Sequence, residues 1–151
     1  MRRLALFLFL LTLARVPCAA FEETVATLKS RLENAPPSER PGISIRIAQQ
    51  QLREADRLYG EGHLAEAQAA VDDIVTYAEK ARDASVESRK HAKNVEIAAR
   101  KISEKLRDIK RTLAFEDQPP LDKAIRRLED LRTALLKDMF SDNKNKKDKK
   151  K

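Results

Sequence analysis

The sequence predicts an all-α protein built of elongated antiparallel helical hairpins around one long central helix. Two observations lead there. Apolar residues recur at spacings of three and four through most of the chain, which is the period of one helical face. Helix-breaking residues are few and grouped: three glycines and six prolines in 151 residues, none of them between Leu64 and Leu113.

The N-terminal segment reads as a leader. Arg2 and Arg3 precede the apolar run Leu4 to Ala14, and the small residues Cys18-Ala19-Ala20 follow. This is the charged, apolar, then cleavable layout of a secretory signal peptide over residues 1–20, with cleavage expected after Ala20. Two alternatives place the chain at a membrane. As a retained anchor the apolar run has only about half of the roughly 20 residues needed to cross a bilayer, and Arg15 interrupts its end. As a lipoprotein signal, Arg15-Val16-Pro17 puts the wrong residue types before Cys18. Cleavage after Ala20 removes the only cysteine, so the mature chain forms no disulfide of its own and is stabilised by packing.

Each element after the leader has a local cause. Phe21, Val25, Leu28 and Leu32 share one face of a short amphipathic helix over residues 21–34. The prolines of Ala35-Pro36-Pro37-Ser38-Glu39-Arg40-Pro41-Gly42 stop it, because proline lacks the backbone donor and disfavours helix in the residue before it. A linker is expected over residues 35–43.

A second helix is expected from about Ser44 to Tyr59, with Ile45, Ala48, Leu52, Ala55 and Tyr59 on one face. Gly60 and Gly62 end it in a tight turn, since glycine takes the left-handed cap conformation cheaply.

From Leu64 to Leu113, positions 64, 67, 71, 74, 78, 81, 85, 88, 92, 95, 99, 102, 106, 109 and 113 keep one heptad register, apolar or alanine except at Ser85 and Ser88. A continuous helix here would be roughly 75 Å long. It cannot bury its stripe alone. Asp117-Gln118-Pro119-Pro120 makes the next break, and a last helix carries Leu121, Ala124, Leu128, Leu131 and Leu135 to about Phe140. Short connections favour antiparallel neighbours, so the flanking helices are expected to fold back onto the two halves of the long one. The alternative is a break near Ser85 that closes residues 44–140 into a compact four-helix bundle.

In the distal half the predicted seam is Ala92, Val95, Ala99, Ile102, Leu106 and Ile109 facing Leu121, Leu128, Leu131 and Leu135. Two helices alone leave Ile97, Ile125 and Leu136 poorly covered, which a homodimer would cure; a hairpin with some exposed aliphatics is the other outcome.

Residues 21–140 hold 22 Lys plus Arg and 22 Asp plus Glu, so the folded part is formally neutral and the positive charge of the mature chain lies in its tail. The tail, residues 141–151, carries Lys144, Lys146, Lys147, Lys149, Lys150 and Lys151 against Asp142 and Asp148. Without apolar residues it is expected to be disordered. Such a cluster suits weak, salt-sensitive contact with an anionic membrane or cell-wall polymer. No aromatic residue interleaves with the lysines, which disfavours nucleic acid as a partner.

One stretch resembles a known family. Ala55, Leu58, Gly62, Leu64, Ala67 and Val71 follow the small, large, Gly, large, small, large order of a tetratricopeptide repeat, over about Gln51 to Glu79. The resemblance implies one helical hairpin packed as in that family. It departs at Ile74, normally a small position, and at Glu79, where the family has its terminating proline. A single hairpin does not build the concave peptide groove of repeat arrays, so no binding residues are implied. As a whole, the chain resembles small exported bacterial helical proteins without an assigned function.

The search for chemistry finds scaffold. There is no glycine-rich phosphate loop and no serine elbow. His63 and His91 are the two histidines, and neither has the glutamate three residues before it that di-iron bundles use. Glu87 stands four before His91, an arrangement that reads as a solvated helix face; His63 reads as a turn residue. Asp72-Asp73 and Glu22-Glu23 are consecutive, about 100° apart on a helix, and form no dyad. Glu96, Arg100 and Glu104 alternate in sign at spacings of four, as on an exposed helix.

The expectation is therefore an exported, non-catalytic helical scaffold or protein-interaction module of the cell envelope. It needs no metal or cofactor, and it partners itself or another helical protein. The alternative is a periplasmic small-ligand or metal carrier with a cavity around Tyr59, Tyr77 and His91.

Overall fold

The computed structural model describes residues 23–148, and the side chains of residues 23–141. Residues 1–22, with the predicted leader and Phe21, and Lys149 to Lys151 lie outside them. The described residues form five α-helices: α1 Val25–Asn34, α2 Arg40–Gly60, α3 Leu64–Ser88, α4 Ala92–Thr112 and α5 Pro119–Asp148, with a 3-10 turn over Phe115–Asp117. The fold is all-α.

Helix α1 starts at Val25, later than residue 21, because Thr24 caps it: the Thr24 hydroxyl accepts from the Thr27 N–H at 3.2 Å. The linker is shorter than residues 35–43. Helix α2 begins at Arg40, with Pro41 in its first turn, where a missing N–H goes unused and the fixed φ favours helix. Gly62 takes φ +79, the Gly62 N–H donates to the Tyr59 carbonyl, and the His63 N–H reaches back to Leu58. This is a Schellman ending, and it reverses the chain.

The long central helix is interrupted. Ser88 ends α3, and Arg89 and His91 take left-handed φ of 52 and 66 without being glycine. Here too the Schellman bonds are present, Arg89 N–H to Val86 carbonyl and Lys90 N–H to Ser85 carbonyl. The Ser85 and Ser88 hydroxyls donate to the carbonyls of Arg82 and Ala84, at 2.8 and 2.7 Å. Serine bonded back in this way weakens a helix. The break spans only Arg89-Lys90-His91. The heptad positions on both sides of it still point inward, from Ala67 and Val71 through Val95 and Ile102.

The compact alternative is thus the architecture observed. Hairpins α2/α3 and α4/α5 stack, α3 running beside α5 and α2 beside α4. Ion pairs cross between them: Arg127 with Glu79, and Lys105 with Asp56 at 2.8 Å. Helix α1 lies along α2 and reaches α3 through Lys29, whose Nζ is 2.9 Å from Asp73. One continuous apolar core runs through the stack, from Leu28 to Leu135.

Helix α5 is longer than expected at both ends. Pro119 and Pro120 occupy its first turn, and it continues past Phe140 to Asp148, so most of the segment expected to be disordered is helical.

Candidate interaction surface

The residues predicted to form the distal seam all face inward within one chain. Val95, Ala99, Ile102, Leu106 and Ile109 of α4 are buried, Ala92 partly so, and Leu121, Leu128, Leu131 and Leu135 of α5 are buried against them. Ile125, expected on an uncovered flank, is buried in the same core, while Ile97 and Leu136 are partly covered. Sealed inside the bundle, this stripe offers no surface to a second molecule. Contact with a partner must use other residues.

Glu96 does not belong to an exposed ladder. It is 9% exposed and accepts a hydrogen bond from Arg132 Nε of α5, while Arg100 and Glu104 pair on the surface at 3.5 Å. His91 sits in the α3–α4 turn rather than on a helix face with Glu87. His63 precedes α3 in the α2–α3 turn.

The trio weighed for a carrier is not brought together. Tyr59 lies just before α3 and His91 just after it, so the length of that 25-residue helix, roughly 37 Å, separates them. Tyr77 stands between, its ring flanked by the ammonium groups of Lys29 at 5.2 Å and Lys80 at 4.7 Å. Among the described residues no group of three or more His, Cys, Asp or Glu is placed to hold a metal.

An open surface appears where α3 ends, α4 begins and α5 leaves the bundle. Ser85, Val86, Arg89, Ala92, Leu135, Asp138, Met139 and Ser141 border a groove of about 530 Å³. Val86 and, one residue beyond Met139, Phe140 are 49% and 70% exposed. The cations here are free: Arg89, Lys90, Lys93 and Lys137 are exposed and make no ion pair among the described residues. Against these four stand Glu87 and Asp138, while Asp83 is taken by Arg82 at 3.0 Å. Helix α4 adds to the positive potential, since it starts with no side-chain cap and no acidic residue in its first turn. The adjoining corner, where α1 meets α2, is balanced, with Glu33 and Glu39 beside Arg31 and Arg40.

Of the predicted tail lysines, three fall within α5, and Lys149, Lys150 and Lys151 lie outside the described residues. Lys144, Lys146 and Lys147 lie on the last turns of α5, where Lys137, Phe140, Lys144 and Lys147 recur at spacings of three, four and three, one face of a helix.

The other end of the bundle is built differently. Phe115 is 86% exposed in the 3-10 turn, but Glu116 and Asp117 follow it. Three cations nearby are engaged, Lys110 with Asp122 at 2.8 Å, Arg111 with Asp108 at 2.9 Å, and Arg57 with both Glu54 and Glu61, while Lys123 early in α5 is exposed and makes no ion pair among the described residues. Arg57 holds the Glu54 carboxyl below its usual range. Burial, with the charges of Asp117 and Asp72, pushes the Tyr59 phenol up to about 12.

The Arg89 to Lys93 cluster is visible in the sequence, but a continuous helix would have spread it around a cylinder. Only the break gathers it at a tip. Comparison with known protein families, with characterised proteins and with solved structures finds no match to this chain.

Proposed function

We propose that this protein is an exported, non-catalytic helical module of the cell envelope that acts by surface contact. The observation that carries the reading is the partition of its apolar residues. Nearly all are sealed in one core, and two of the three large apolar residues left exposed, Val86 and Phe140, lie with unpaired cations at the α3–α4–α5 end. Such a body suits a scaffold that presents one end to a partner. The leader-like Arg2 to Ala20 supports export.

Fractionation of the source cells, with mass determination of the N-terminus, tests this. A chain beginning at Phe21 in the envelope fraction is the expected result. An unprocessed chain confined to the cytosol overturns the reading.

A further inference from the structure

We infer that the end of the bundle formed by Val86, Arg89, Lys90, Lys93, Lys137 and Phe140 docks onto an anionic lipid surface. The inference rests on the reading above, of a module that works through surface contact, and names its partner.

Three features favour a lipid surface. First, the apolar groups are isolated tips rather than a continuous face: Val86 and Phe140 stand out from the bundle while Leu135 forms the buried floor between their helices. Single apolar side chains among cations match the boundary between headgroups and acyl chains, where a peripheral segment buries roughly 5–10 Å deep. A protein partner would call for a broader complementary apolar patch.

Second, the charge is complementary and available. Four exposed cations lack an ion pair among the described residues and face two acids, Glu87 and Asp138. Each cation close to an anionic bilayer strengthens binding about fivefold, and the effect fades beyond a Debye length. Arg89 and Lys90 are exposed in the short turn between α3 and α4, so their charges reach a planar surface together.

Third, α5 continues past the groove. From Ser141 to Asp148 it advances about 10 Å, with Lys144 and Lys147 in register with Lys137 and Phe140. No described helix is long and apolar enough to cross a membrane, and the contact proposed is with the surface alone.

The chain has no tryptophan, so one introduced residue reports on one place. Full-length Phe140→Trp and Phe115→Trp proteins are mixed with vesicles of phosphatidylcholine alone, or of phosphatidylcholine with phosphatidylglycerol. Fluorescence of Phe140→Trp should shift to the blue and become shielded from acrylamide on the anionic vesicles only, and about 1 M salt, where the Debye length is near 3 Å, should reverse it. Phe115→Trp should stay in water. Adding Lys90→Glu and Lys93→Glu to Phe140→Trp should weaken binding by about tenfold or more, with helix content unchanged by circular dichroism.

An unshifted Phe140→Trp signal, an equal shift on neutral vesicles, or an equal shift from Phe115→Trp overturns the inference. Because the readout is local, binding through the N-terminal segment does not imitate it. A failure here with the processed chain in the envelope fraction removes the lipid contact and leaves the envelope module standing.

Discussion

Arg89 occupies, at the end of α3, the position that Gly62 occupies at the end of α2. Both are left-handed, at φ 52 and +79, and both are followed by an N–H that reaches back five residues, Lys90 to Ser85 and His63 to Leu58. Glycine adopts this conformation freely, whereas an L side chain pays about 1 kcal/mol for it.

The pair therefore predicts substitutions of opposite sign. Arg89→Gly raises stability by up to about 1 kcal/mol, and Gly62→Ala lowers it by about 1 kcal/mol. A Cβ at Gly62 meets nothing within 4 Å, so the second effect is purely one of backbone. Urea denaturation of both variants checks this; a destabilised Arg89→Gly protein would contradict the geometry at the α3–α4 break.

Ile102 is the center of the α4 seam, 1% exposed within the core it shares with Leu106, Leu121 and Leu128. Ile102→Ala costs about 2–5 kcal/mol, and Ile102→Asp abolishes the fold. Circular dichroism reads both. Because the seam is internal, the loss is independent of protein concentration.

Glu96 and Arg132 predict an asymmetry. The Glu96 side chain is 12% exposed and that of Arg132 39%. Arg132→Met strands a carboxylate in a nearly closed setting and costs about 1–3 kcal/mol. Glu96→Gln leaves the guanidinium free to turn toward water, and costs less. Equal losses by thermal unfolding would mean that both groups are equally hydrated.

Tyr59 makes stability depend on alkaline pH. The unfolded chain ionises this phenol near 10.0, and the folded one at about 12. Only the unfolded state gains from ionisation between those values, so the fold loses stability as pH rises through that window and loses none of it below 10. Tyr59→Phe abolishes this part of the decline. Its buried hydroxyl has no hydrogen-bond partner among the described residues, so the variant is at least as stable as the parent near neutral pH. Absorbance titration of the two tyrosines, with and without Tyr59, reads the high transition directly.

Periodicity carried most of this fold into view. The heptad positions from Ala67 to Ile109 are turned inward as their spacing required, and Gly62 announced its turn because glycine is the residue that such turns favour. The α3–α4 break was less legible for the same reason. Arg89 and His91 carry no mark of left-handed geometry, the register keeps its phase across them, and Ser85 and Ser88 offered only a weak sign. With the chain broken there, α5 packs on α3, a contact between segments far apart in sequence that local spacing does not encode. The extra turns of α5 were missed because lysines and asparagines after Phe140 carry no apolar stripe. The candidate surface depended on both of these, and neither its groove nor its exposed tips followed from spacing.

Each hairpin joins neighbours in the chain: α2 to α3 across Glu61 to His63, and α4 to α5 across a short 3-10 turn. Closing such short loops costs little entropy, and helical contacts between neighbours are made before distant ones need be found. The molecule should consequently refold within microseconds to milliseconds, one helical pair at a time, with the docking of α5 against α3 as the latest step.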